Sequence, residues 1–178
     1  MKTFIKIATL LGTTIAISIL LGCSPRNEKP ITQTEETETV EQATRAPKPM
    51  SLHEQQIAKI KSRYTDAITT DSGLCYVVDQ EGAGEATPSR GDRIQAHYTG
   101  AFWDGEVFDS SVERGDPLAF SVGIGKVIEG WDEAFLTMKK GEKRTLIIPS
   151  ELGYGPHGYP GAIPANAILI FEVELVDF

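Results

Sequence analysis

The chain is poor in the side chains that ordinary catalysis requires. Its 178 residues hold only two cysteines and three histidines. No Cys-x-x-Cys pair occurs, and neither a Gly-x-Ser-x-Gly elbow nor a glycine-rich phosphate loop is present. His53, His97 and His157 stand apart from one another, which argues against a histidine-based metal site. Basic charge is also scarce: 17 Lys and Arg against 25 Asp and Glu leave a net charge of -8. Nucleic-acid binding needs a basic face, so that class of partner is set aside. No repeat appears, and no apolar run beyond the N-terminus could span a membrane. Whatever the protein does must avoid strong acid, base, nucleophile, metal and cofactor. Binding remains, or a reaction catalysed mainly by an environment.

What is present begins with "MKTFIKIATLLGTTIAISILLGC". Two lysines precede an apolar run from Ile7 to Leu21, too short for a membrane-spanning helix of about 20 residues. Residues 1–22 read as a secretory signal, and "LLGC" resembles a lipobox, which would make Cys23 the acylated N-terminus and the link to a membrane. Cys75 is then left without an intrachain partner and reads as a small buried residue in a strand. Residues 23–50 are rich in Thr, Glu and Pro and lack aromatics, so a disordered tether is expected. In residues 51–70, Ser51 and Glu54 have capping-box spacing, and Ile57, Ile60 and Tyr64 recur at helical spacing. A short helix is expected there, too short for a dimerisation rod, so a monomer is expected rather than a dimer.

From residue 71 to 178 the pattern changes to short alternating runs separated by Gly, Pro and Asp-Gly turns. In "AILIFEVELVDF", Leu169, Phe171, Val173 and Leu175 alternate with acidic residues, which predicts a strand buried on one face. "GKVIEGWDEAFLTMKKG" predicts a helix with the stripe Ile128, Trp131, Phe135 and Met138, acidic residues at its start, Lys139 and Lys140 at its end, and Gly141 as its stop. Many strands and one central helix imply an antiparallel sheet packed on that helix, an α+β domain. Tyr98, Phe108, Trp131, Tyr154, Tyr159 and Phe171 flank turns in numbers hard to attribute to core alone. Asp109 directly follows Phe108, so the set suggests an apolar pocket with one polar handle.

The motifs "HYTG", "FDSS", "VIEGWDEA", "GEKRTLIIPSELGYG" and "IPANAILIFEVELVDF" resemble those of FKBP-type peptidyl-prolyl isomerases, in the family's order, over residues 72–178. The resemblance implies a curved antiparallel sheet wrapped around one short central helix. It implies catalytic roles for Asp109, Tyr154, Phe108 and Trp131, with Trp131 as the floor against which a proline ring sits. Tyr98, Phe108, Val127, Ile128 and Phe171 would form the walls. The N–H of Ile128 and the hydroxyl of Tyr154 would hold substrate carbonyls. Arg114 would pair with Asp109, and Ile163 would overhang the pocket.

The sequence departs from the family at Leu118, where many members carry an aromatic, and at Tyr159, where some carry histidine; Lys126 replaces a residue that is often acidic. With the pocket's other residues, Leu118 and Tyr159 are taken as substrate-binding. The departures bear on substrate preference and on macrolide inhibitors, which are implied partners alongside proline-containing polypeptides. "GPHGYPGAIP" carries no large insertion, so no inserted chaperone subdomain is expected. Two functions remain open at this point: an isomerase acting outside the cytoplasm while lipid-anchored, in an outer membrane where the cell has one, or a binding module in which isomerisation is incidental. The anchor alone would also suit a structural envelope protein.

Overall fold

The computed structural model describes residues 48–178; the expected signal segment, Cys23 and the expected tether up to residue 47 lie outside them. Seven strands form one antiparallel sheet: β1 (Ile68–Thr69), β2 (Cys75–Gln80), β3 (Arg93–Phe102), β4 (Val107–Ser110), β5 (Leu118–Ser121), β6 (Lys143–Ile148) and β7 (Leu169–Asp177). Their order is β1-β2-β6-β7-β3-β4, with β5 also paired to β3. The Asp104-Gly105 turn closes the β3–β4 hairpin: Phe102 N–H donates to Glu106 O at 2.9 Å, and Gly105 has φ 94°, which glycine tolerates.

The outer edge of β3 is divided between two short strands. Its first half pairs with β5 through Arg93 to Ala96, and its second half pairs with β4 through Thr99 to Ala101. Between them the N–H of Tyr98 donates to the side chain of Ser111, at 2.8 Å. Ser111 opens α2 (Ser111–Arg114), a single turn capped by Ser110 and ended by Gly115 in the left-handed region. A hydroxyl therefore replaces a strand where the edge must leave room for a pocket.

One face of the sheet buries α3 (Glu129–Phe135). Trp131, Ala134 and Phe135 meet Ile94, Leu146, Ile148 and the inward alternation of β7, Leu169, Phe171, Val173 and Leu175. The helix is shorter than the apolar stripe predicts. It ends at Phe135; Thr137 and Met138 then donate to carbonyls three residues back, in tighter turns. Met138 is fully buried all the same, because a core position needs apolar contact and not helical backbone. Gly141 does not stop the helix. Its N–H donates to Leu175 O at 2.7 Å, joining the turn to the sheet, and Lys140 pairs with Asp177 and not with a helix end. Beside this turn Glu142 and Arg144 form a buried ion pair at 2.5 Å, and Arg144 also donates to Thr137.

The other face of the sheet is covered too. Ser51 and Glu54 make the reciprocal bonds of a capping box, and α1 (Leu52–Arg63) follows. Ile60 drops into a second apolar cluster with Cys75, Ile147, Ile168 and Ile170, flanked by Tyr64, Ala67 and Trp103. The expectation of one buried face on β7 therefore needs correcting at Ile170, which α1 shields together with its neighbours on β6 and β2. Among the described residues, no helix is long and apolar enough to cross a membrane. Because Ile60 is fully buried, Ile60→Ala should lower unfolding free energy by about 2–5 kcal/mol, read by urea denaturation. A loss well under 1 kcal/mol would show that α1 adds little to the fold.

Candidate active site

Ten residues from β3, β4, β5, β7, α3 and the approach to it, and the segment after β6 converge on a hollow of about 190 Å³: Tyr98, Phe108, Asp109, Leu118, Lys126, Val127, Ile128, Trp131, Tyr154 and Phe171. Two wider hollows lie elsewhere: one of about 700 Å³ beside α1, lined by apolar and polar side chains in equal number, and one of about 290 Å³ along β6 and β7, lined mostly by polar and charged ones. The small one is distinguished by its lining, half of it aromatic.

Its floor is an indole fixed from several directions. The Trp131 ring centre lies 5.0 Å from Tyr98 and 5.1 Å from Phe171, both edge-to-face. Phe135 and Phe120 stand at 5.5 and 5.8 Å on its core side. Such arrangements contribute beyond area burial and define one orientation. The residue is 5% exposed, and that remainder faces the hollow. Its indole N–H is buried without a hydrogen-bond partner among the described residues. Phe108 forms a wall, perpendicular to Phe171 at 5.7 Å. Both rings close over Gly100 of β3, where an added Cβ would lie 2.7 Å from each. The glycine of "HYTG" is needed for that close approach.

The handle is a three-membered network. Tyr98 donates its hydroxyl to Asp109 Oδ2 at 2.5 Å, Arg114 donates to Asp109 Oδ1, and Arg114 Nη2 lies 3.0 Å from the Tyr98 oxygen. The single turn of α2 brings Arg114 back beneath the strand from which Asp109 projects. Burial pulls the Asp109 carboxyl upward, but the bonds from Tyr98 and Arg114 outweigh it, so the group sits below the usual carboxylate range. Burial, reinforced by the bond to Asp109, pushes the Tyr98 phenol up. Burial likewise raises Tyr154, with added repulsion from Asp109 and Tyr159. At neutral pH the hollow therefore holds a fixed carboxylate and two neutral phenols.

Two donors face it. Ile128 is the N-cap of α3 and makes no side-chain capping bond. Its carbonyl accepts from Trp131 and Asp132, and its N–H has no partner among the described residues. An apolar residue takes this cap position because its side chain lines the hollow. The Tyr154 hydroxyl is also without a protein partner among the described residues, and the residue is 39% exposed. Asp132, read from sequence as complementing the helix dipole, does more. Its carboxylate accepts from Gly123 at 2.8 Å and Gly125 at 2.7 Å, pinning the loop that delivers Lys126, Val127 and Ile128.

Three residues assigned to the site from sequence do not line the hollow. Arg114 acts through Asp109. Tyr159 is 58% exposed, with its ring 6.0 Å from that of Tyr154. Ile163 is buried in the main cluster, held in the loop by reciprocal backbone bonds with Tyr159. Sequence reasoning missed Gly100 and Asp132. The only available signals were a glycine inside a strand pattern and a carboxylate following two loop glycines, Gly123 and Gly125.

A family model described as FKBP-type peptidyl-prolyl cis-trans isomerase matches residues 84–176. The chain is 53% identical over 104 residues to "FK506-binding protein 1A" of Neurospora crassa, covering 58% of this chain and 87% of that one. It is 55% identical over 104 residues to an "FK506-binding protein" of Neisseria meningitidis serogroup B, covering 58% and 94%. A "Peptidyl-prolyl cis-trans isomerase" of Schizosaccharomyces pombe is 50% identical, covering 58% and 93%. Among solved structures, that of AtFKBP13 superposes with a TM-score of 0.59 at 39% identity, covering 62% of this chain and 97% of that one.

The ionisation pattern fixes a pH dependence. Asp109 is depressed in the folded state, so its contribution to stability is present above the ordinary carboxylate value of about 4 and lost as pH falls through its folded value. The tyrosines are raised, so theirs is present below about pH 10 and lost above it. Turnover in the hollow should thus be independent of pH from about 5.5 to about 8.5. A pH–rate profile with an inflection near neutrality would reveal an essential titrating group outside this network.

Proposed function

The chain belongs to the FKBP-type peptidyl-prolyl cis-trans isomerase family and is a peptidyl-prolyl cis-trans isomerase, and on that premise we propose that the X-Pro bond turns in the hollow above Trp131. The observation that carries this reading is the convergence of an indole floor, aromatic walls and two unused donors on one small apolar space. The proline ring rests on Trp131 between Tyr98, Phe108 and Phe171. The N–H of Ile128 and the hydroxyl of Tyr154 hold carbonyls of the flanking chain.

Resonance holds the amide planar behind a barrier of about 18–20 kcal/mol. At the top of that barrier resonance is lost, the carbonyl is less polar and the nitrogen more pyramidal. An apolar space accommodates this state better than water does, while donors fixed beforehand hold the chain on either side. That is preferential binding of the transition state, with no bond made or broken. Each tenfold gain requires only about 1.4 kcal/mol of such preference. Asp109, locked by Tyr98 and Arg114, supplies a constant negative charge at the rim. Polypeptide clients reach the rim from solvent, and a macrolide of the FK506 type competes for the same floor.

The test is a proline-peptide isomerisation assay on variants. Trp131→Leu keeps an apolar side chain yet removes the platform, and should raise KM. Asp109→Ala should lower kcat by about tenfold, equivalent to about 1.4 kcal/mol. Wild-type rates in both would reject this pocket.

The N-terminal pattern supports a lipid-anchored, extracytoplasmic location, with acylation at Cys23 and an outer membrane where one exists. Ser24, directly after Cys23, fits that placement better than an aspartate would. Expressed in a bacterial host, the full chain should incorporate labelled palmitate, and Cys23→Ser should abolish the label. Label retained in that variant would overturn the anchor.

A further inference from the structure

The segment between β6 and β7 carries Tyr154, and its two ends meet at one side chain outside the matched residues 84–176. Gln56 of α1 is 6% exposed. Its Oε1 accepts from the N–H of Ser150 at 2.8 Å, with the Ser150 hydroxyl at 3.1 Å. Its Nε2 donates to Asn166 O at 2.9 Å. Asn166, in the left-handed region at φ 57°, in turn donates its N–H to Gly155 O at 3.0 Å. One amide thus joins the start of the segment to its end, and the end is joined back to the residue after Tyr154.

We propose that Gln56 is a positioning residue for the isomerase: α1, through this amide, closes the 150–166 loop and sets where the Tyr154 hydroxyl sits above the hollow. Chemistry favours glutamine here. A carboxylate could accept from Ser150 but not donate to Asn166 O, a lysine could donate but not accept, and an alkyl chain would leave the N–H of buried Ser150 unpaired and the end of the loop untied. The Tyr154 hydroxyl makes no hydrogen bond to a described residue, so it is placed by the loop that carries it. The catalytic half of the proposal rests on the donor role given above to Tyr154; the closure of the loop does not.

Gln56→Met keeps length and apolar bulk and removes both bonds. In the full chain, amide exchange should accelerate at least about tenfold at Ile163 and Asn166, whose N–H groups bond within the loop. The sheet amides of Leu146 and Val173 should be unaffected. Catalytic efficiency should fall about threefold or more, and Tyr154→Phe should then reduce it further by less than it does in the wild-type chain, because the donor is already displaced.

Unchanged loop exchange overturns the proposal. So does accelerated exchange with multiplicative rate effects, which would make the clamp structural only. If Tyr154→Phe is silent in the wild-type chain, the donor role falls and the positioning role with it, while exchange still reads the loop closure separately. Should Gln56→Met not fold, Gln56→Asn, one methylene short, takes the same measurements with the same outcomes expected.

Discussion

The indole of Trp131 has Tyr98 and Phe171 at its edges on the pocket side and Phe120 and Phe135 behind it. Any displacement of that ring would disturb core and pocket together, and this double membership organises the domain. The helix that carries it is only seven residues long, begins without a polar cap and is steadied by Asp132, which holds the preceding loop. A longer, conventionally capped helix would place a polar side chain where Ile128 lines the hollow. Local helix stability has been traded for an apolar rim. Tertiary packing on the sheet compensates, as it does for most short helices.

Around that floor the polar groups are arranged so that none changes charge near neutrality. Asp109 is saturated by two donors, and both phenols are held neutral by burial. This suits a reaction whose transition state differs from its ground state in shape and polarity and in no proton. Besides the buried indole N–H of Trp131, the unengaged donors at Ile128 and Tyr154 come from different elements and are steadied by different devices, one by a carboxylate within the domain and the other by a loop tied to α1.

Much of this was legible in the chain. The alternation of β7 and the Asp-Gly turn gave their elements directly, and the capping box gave the start of α1. The aromatic residues and Asp109 were picked out from sequence by their neighbours and by the family motifs. The end of α3 was not legible, because Met138 keeps the apolar period after the backbone has left the helix. Ile170 looked like the outward partner in an alternating strand until α1 covered it. Gln56 was invisible for a different reason: glutamine on a helix is usually solvated, and its burial depends on the distant Ser150 and Asn166. The hint was its place four residues before Ile60, on the same face. The buried Glu142–Arg144 pair, at the entry to β6, carried no sequence signal that would separate it from the chain's other charges.

The strand order carries one more consequence. β7, last of the seven to leave a ribosome, lies in the middle of the sheet, hydrogen-bonded to β3 on one side and β6 on the other. Until it arrives, β3 and β6 have no bridge between them, and the apolar surfaces meant for α3 and α1 lack the strand that contributes to both. Vectorial emergence therefore leaves two separate part-sheets, β1-β2-β6 and β3 with β4 and β5. Only insertion of the final strand joins them and completes both apolar faces together.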